Sequence, residues 1–130
     1  MSTDDSIDFM RFLSAQASSN GLAIGLKNAA EIVPEAKGLV QFAVNEQCTE
    51  YRECASFGPL IQTNKPVFHI EYPKRNDAGR VSSNQVEQVC SNDGIAAGSE
   101  GFSTIIKDFD LDGWAQYCDG TDARTALQEQ

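Results

Sequence analysis

The sequence predicts an α/β fold of parallel strands, read as half of a closed β/α barrel in preference to a small open doubly wound sheet. Three observations carry that expectation. Four short apolar runs alternate with stretches of helical character. Each run ends in polar, chemically capable residues: Lys27-Asn28, Asn45-Glu46, Glu71-Tyr72 and Lys107-Asp108. The turn after the first run, Lys27-Asn28-Ala29-Ala30, lacks the Gly-rich loop that a dinucleotide-binding sheet places there. Barrel enzymes carry their chemistry on the C-terminal rim of the strands. A full barrel needs about 250 residues, so a chain of 130 residues supplies about half.

Residues 3–20 read as a helix, with Thr3 or Asp4 as cap and acidic residues suiting the dipole of the first turn. Ile7, Phe9, Met10, Leu13 and Ala17 form its apolar stripe, and Asn20-Gly21 ends it. Residues 22–26 form the first strand, followed by a short helical stretch, 29–36, limited by Pro34. Residues 39–44 form the second strand, ending in Asn45-Glu46-Gln47, and residues 51–62 a helix disturbed at Gly58-Pro59. The third strand is 66–72, the loop 73–82 is polar, and a helix covers Ser83 to about Cys90. Residues 101–107 make the fourth strand and Leu111–Cys118 a last short helix. The tail after Gly120 is polar and expected to fray, so the domain spans 1–120 and the tail 121–130.

Strand alternation assigns faces. In the first strand Leu22, Ile24 and Leu26 suit a helix layer, which sends Lys27 into the barrel mouth. In the second, Gln41, Ala43 and Asn45 share a face, so strict alternation puts Asn45 inward and Glu46 outward unless the strand bulges at its end. In the third, Val67, His69 and Glu71 share the inward face. His69 reads as a hydrogen-bonded interior residue, Trp114 as core, and Lys107-Asp108 as a rim ion pair of small energetic consequence.

Charge narrows the partners. Nineteen acidic against ten basic residues give a net charge of −9. Such a surface repels phosphate backbones and anionic lipid, so neither nucleic acid nor a membrane surface is an expected partner. No apolar run approaches the ~20 residues of a membrane span. The N-terminal residues, Met1 to Asp5, show neither a basic nor an apolar leader region, so no signal peptide is expected within the chain.

Four cysteines, at 48, 54, 90 and 118, permit three pairings. Cys48 and Cys54 would close a short loop and leave Cys90 for Cys118. Four buried thiols are the alternative. Zinc is disfavoured, because no C-x2-C pair occurs and His69 is the only histidine. Disulfides imply an oxidising compartment, which sits at odds with a chain showing no leader; one resolution is that its natural N-terminus lies elsewhere.

Four segments carry a resemblance: Gly21-Leu22-Ala23-Ile24-Gly25-Leu26-Lys27-Asn28; Phe42-Ala43-Val44-Asn45-Glu46-Gln47-Cys48; Tyr51-x-Glu53-Cys54; and Lys65-Pro66-Val67-Phe68-His69-Ile70-Glu71-Tyr72. In that order, over residues 5–110, they resemble glycoside hydrolase family 114, the endo-α-1,4-polygalactosaminidases, also described as α-galactosidase-like. The resemblance implies a (β/α)8 TIM barrel of which this chain supplies the C-terminal half, four parallel βα units corresponding to strands five to eight. It implies a secreted or cell-surface, disulfide-bonded protein that needs no cofactor and no metal. Its substrate would be an α-linked galactosamine or galactose polysaccharide. It places the second catalytic carboxylate, that of Asn-Glu-Gln-Cys, on Glu46. The family's first catalytic group belongs to an Asp-Asn-x-Asp motif that this sequence does not contain.

Cleavage of a glycosidic bond takes two carboxylates, about 5–5.5 Å apart for retention and about 6.5–9.5 Å for inversion. Glu46 is then the acid/base, and Glu71, on the neighbouring strand, is the only nearby substitute for the second catalytic carboxylate, read otherwise as a substrate-binding or pKa-tuning group. Lys27, Asn28, Asn45, Gln47, Tyr72 and Lys107 are the candidate substrate-binding residues of the rim. Two rival readings stand beside the hydrolase: a half barrel that holds sugar without cleaving it, and two half barrels associating through their exposed strand edges.

Overall fold

A computed structural model of the chain describes residues 1–126. Four parallel strands are laid down in chain order and two antiparallel strands complete the sheet, in the order β1-β2-β3-β4-β5-β6. The strands are β1 (Gly25–Lys27), β2 (Phe42–Glu46), β3 (Val67–Glu71), β4 (Ser103–Ile106), β5 (Trp114–Tyr117) and β6 (Asp122–Arg124). The α-helices are α1 (Thr3–Ser19), α2 (Val33–Ala36), α3 (Gly58–Gln62) and α4 (Ser83–Cys90).

The α1 cap is Ser2, one residue before the expected pair. Its hydroxyl accepts from Asp5 N (3.1 Å), while the Asp5 carboxylate accepts from Ser2 N (2.8 Å). This reciprocal pair satisfies two amides that a helix start leaves orphaned. Ile7 turns into the core, but Phe9, expected in the apolar stripe, is exposed. The expected helix over 51–62 is shorter. Turns lead into a 3₁₀ segment, Cys54–Phe57, and then into α3, whose Pro59 occupies a first-turn position where the missing N–H costs nothing.

One layer of helices covers one face of the sheet. Ile7, Val33, Ala36, Phe57 and Leu60 pack on Leu26, Ala43 and Val67. Val86 and Val89 of α4 pack with Ile106 and Trp114. Full burial of side chains such as Phe57 and Leu60 stabilises by about 2–3 kcal/mol each. On the other face Phe42 meets Phe68 edge-on at 5.9 Å, and Phe68 remains exposed. The Phe42 ring also lies over Gly25, where a Cβ would come within 2.2 Å of it. Only a glycine lets that ring lie flat on the neighbouring strand.

The fourth βα unit is absent. Leu111–Cys118, expected as a helix, contains strand β5, antiparallel to β4 and turned back into β6. The reason is period: Trp114 and Gln116 are buried while Tyr117 is exposed, an alternation of two that no helix can satisfy. Asp119-Gly120 supplies the reversal. Gly120 N donates to Tyr117 O (2.9 Å) and Tyr117 N to Thr121 O (2.8 Å). Part of the tail expected to fray is therefore strand β6; its last residues, 127–130, lie outside the described region. The hairpin is stapled to the end of α4 by Cys90–Cys118, and Cys48–Cys54 closes the turn after β2.

Candidate functional site

Register decides which residues meet. Leu26 pairs with Ala43, and Ala43 with Val67, so these three share the helix-covered face. Two residues further along the same face come Asn45 and His69, themselves paired, and then Glu71. All three are buried. Glu46 and Lys27 therefore stand on the opposite, open face. The face expected for Lys27 is the one observed. Asn45 and Glu46 exchange the faces expected for them, and His69 and Glu71 lie beneath the helices instead of facing inward.

On the open face the Lys27 ammonium donates to Glu46 Oε2 (2.7 Å) and the Tyr72 hydroxyl donates to Glu46 Oε1 (2.7 Å). Both carboxylate oxygens thus accept a hydrogen bond, one from a cation. Lys27 first, and then Tyr72, hold the Glu46 carboxyl below the usual carboxylate range. Partial burial, the hydrogen bond to Glu46 and the negative charges of Glu46 and Glu71 push the Tyr72 phenol up to about 12. Glu46 therefore rests as the carboxylate and Tyr72 as the neutral phenol.

The strand ends that present these groups have unusual backbones. Asn28, Ala29 and Gln47 take left-handed conformations (φ 54, 55 and 63). For Ala29 that geometry costs about 1 kcal/mol or more. Asn28 does not offer its carbonyl to a ligand: Oδ1 accepts from Glu46 N (2.8 Å) and fixes the end of β2. Gln47 N donates to Ile70 O (2.9 Å), and Gln47, Thr49, Glu71, Tyr72 and Phe109 line a cavity of about 150 Å³.

On the helix-covered face a second group is buried. Glu71 Oε1 accepts from Thr49 N (2.8 Å) and lies 2.7 Å from His69 Nε2. Cys48 Sγ lies 3.3 Å from the same nitrogen. A carboxylate and a disulfide sulfur only accept, so Nε2 carries the proton, and Nδ1 faces Thr104 Oγ1 at 2.9 Å. Cys48, Cys54 and His69 would be a metal-ligand set by position alone, but the two sulfurs are bonded to each other. Glu46 and Glu71 stand on opposite faces of neighbouring strands, and Tyr72, which bonds Glu46, lines one cavity with Glu71. Asn45, expected to touch sugar, is buried, and neither its Nδ2 nor its Oδ1 finds a partner among the described residues.

Lys107, another expected rim residue, turns inward to its own loop. Its Nζ donates to Asp112 O and Trp114 O, both at 2.6 Å. Asp108 pairs with Arg75 and not with Lys107. Arg75 lies over the Trp114 ring, 4.5 Å from its centroid. Phe109, which sequence reasoning passed over, stacks on Tyr72 with centroids 4.6 Å apart and planes at 13°. Its place two residues past the Lys107 strand end was the available signal.

Both disulfides named as one of three pairings are present: Cys48–Cys54 and Cys90–Cys118. Among the described residues no helix is long and apolar enough to cross a membrane.

The comparisons with known proteins agree with this picture. None of the curated proteins matches the chain. Among solved structures, the crystal structure of Aspergillus fumigatus Ega3 in complex with galactosamine matches at 43% identity and a TM-score of 0.79. The match covers 91% of this chain and 47% of that one, so the chain spans about half the length of Ega3. The model of glycoside hydrolase family GH114 matches residues 1–123. The sequence segments, a sheet with its helices on one face and a family match over residues 1–123 agree, and the chain belongs to glycoside hydrolase family 114.

Proposed function

We propose that the chain is the C-terminal half of a (β/α)8 hydrolase acting on α-linked galactosamine or galactose polysaccharide, with Glu46 as its acid/base. One observation carries the reading: a carboxylate at the C-terminal end of a parallel strand, on the uncovered face, with Lys27 on one oxygen and Tyr72 on the other. That is the rim on which barrels of this class do chemistry. The galactosamine bound to Ega3 supports the sugar class, and the net charge of −9 suits a cationic amino-sugar polymer.

Glu46 rests ionised, which is its form as a base. The acid step needs a proton on Glu46, and withdrawal of the Lys27 ammonium from Oε2 raises the carboxyl toward that state. Lys27 is then both counter-ion and sugar-facing group, and Tyr72 stays as the donor that orients the carboxyl. Retention further needs a second carboxylate about 5–5.5 Å away. Glu71 is turned to the other face, so a hydrolase built on this chain takes that carboxylate from outside the segment described.

The position of Glu71 favours a second reading: the isolated chain holds sugar without cleaving it. The uncovered Phe42–Phe68 face and the free edges of β1 and β6 also support association of two copies. Incubating the chain and its E46Q variant with de-acetylated α-1,4-galactosaminogalactan separates these readings. Turnover lost by a factor of about 10²–10⁴ in E46Q supports the hydrolase. Binding without product from either protein supports the second reading and removes the first for this chain. Sedimentation of a monodisperse monomer would exclude the paired form.

A further inference from the structure

We propose that Phe109 is a positioning residue for Glu46, acting through the ring of Tyr72. Tyr72 follows the last residue of β3, so the strand ladder no longer fixes it. Two contacts hold its side chain. The hydroxyl donates to Glu46 Oε1 (2.7 Å), and the ring face lies on Phe109 (4.6 Å, 13°). A hydroxyl donor is useful only over a narrow range of distance and angle. Whatever fixes the plane of the Tyr72 ring therefore fixes the hydrogen bond at its far end.

Phe109 is itself 68% exposed, so burial does little to place it. Its backbone does. The segment joining β4 to β5 is clamped from both sides. Lys107 Nζ reaches Asp112 O and Trp114 O (2.6 Å each), and Arg75 pairs with Asp108 and lies 3.3 Å from Asp112 Oδ2. Arg75 also rests on Trp114, whose side chain is wholly buried. Contacts thus run from the core beneath the sheet, through the Arg75–Asp108 clamp, to Phe109, Tyr72 and Glu46. The groups facing the Glu46 carboxylate are Lys27 from β1 and Tyr72 from the end of β3, with the Asn28 amide on its backbone N–H. Removing Phe109 frees Tyr72 and leaves Lys27 in place.

The inference deepens the proposed hydrolase, whose acid/base it positions, but its test reads ionisation directly. The Glu46 carboxyl is titrated by ¹³C NMR in the full chain and in the variants Y72F, F109A and F109Y. Y72F and F109A both move the midpoint upward, F109A at least half as far as Y72F, and F109Y returns it to the wild-type value. A wild-type midpoint in F109A beside a shifted Y72F overturns the proposal. So does an F109Y shift as large as that of F109A, or an unshifted Y72F. F109L replaces F109A, with the same outcomes, if the alanine variant loses the wild-type circular dichroism. Turnover is read separately: with an active chain F109A lowers kcat more than it changes KM. A chain without turnover counts against the hydrolase and leaves the titration result standing.

Discussion

Glu46 and Glu71 sit near the ends of adjacent parallel strands and point to opposite faces of the sheet. Glu46 meets Lys27 and Tyr72 in the open, while Glu71 is sealed with His69 beneath the helices. The two carboxylates therefore respond differently to the same substitution.

For Glu71 the expectation concerns stability. Its Oε1 satisfies the Thr49 amide and the His69 N–H in a site with 3% exposure. E71A leaves the Thr49 amide buried without its acceptor and the His69 N–H with only the Cys48 sulfur, and destabilises by about 2–4 kcal/mol. E71Q keeps an acceptor oxygen and costs less. Urea denaturation of both variants checks this, and equal losses would show that the acceptor is not what matters.

For Glu46 the expectation concerns pH. Its carboxyl is depressed in the folded chain, chiefly by Lys27. The resulting stabilisation is fully present above the ordinary carboxylate range and is lost as pH falls through the depressed value. K27M moves the Glu46 midpoint upward and removes part of that acid-side loss. Lys27 is 52% exposed, so K27M at neutral pH costs less than about 1 kcal/mol. Thermal unfolding from pH 3 to pH 7 compares the two proteins; a neutral-pH loss well beyond that bound would mean Lys27 packs instead of merely pairing.

Tyr72 shapes the alkaline limb. Its phenol is raised from 10.0 to about 12 in the folded chain. That contribution is intact below pH 10 and declines as pH rises from 10 toward 12, because the unfolded chain loses its proton first. Y72F removes both the absorbance step near pH 12 and this decline. An unchanged alkaline absorbance curve in Y72F would refute the assignment.

Cys90–Cys118 closes the largest covalent loop, with a sequence separation of 28. Chain entropy assigns such a loop about 3–4 kcal/mol. The double variant C90A/C118A unfolds at lower urea concentration by about that amount, whereas a change below 1 kcal/mol would show that the hairpin is held by its other contacts. The β4–β5 ladder, the Trp114 packing, the Arg80–Asp122 pair at 3.0 Å and the Gln116–Val81 amide exchange are among the contacts that remain.

The legible part of the sequence was its apolar periodicity. Each of the four parallel strands overlaps a run read as a strand, the first two starting and ending later than expected, and Ser83–Cys90 is a helix as expected. The misread part was polarity at strand ends. Asn45 and Glu71 look like rim residues, yet each sits two or four places beyond a small or branched residue that packs on a helix, whereas His69, read as a hydrogen-bonded interior residue, is buried and hydrogen-bonded. Ala43 pairs with Leu26, so the face of Leu26 decides the face of Asn45. Cross-strand register carries that information and single-strand composition does not. Leu111–Cys118 failed for another reason. Its two buried residues, Trp114 and Gln116, set a period of two that the surrounding polar residues obscured, and the Asp119-Gly120 turn signal was read as the start of a tail.

The same two-sided sheet separates what can vary from what cannot. Substitutions at Lys27 or Phe68 meet solvent, and no helix has to move to admit them. Those at Ala43, Val67 or His69 meet packed side chains at once. The side chains on one surface of the strands can therefore change without disturbing the packing on the other. Alternate residues of one short peptide, such as Asn45 and Glu46, thus evolve under different rules.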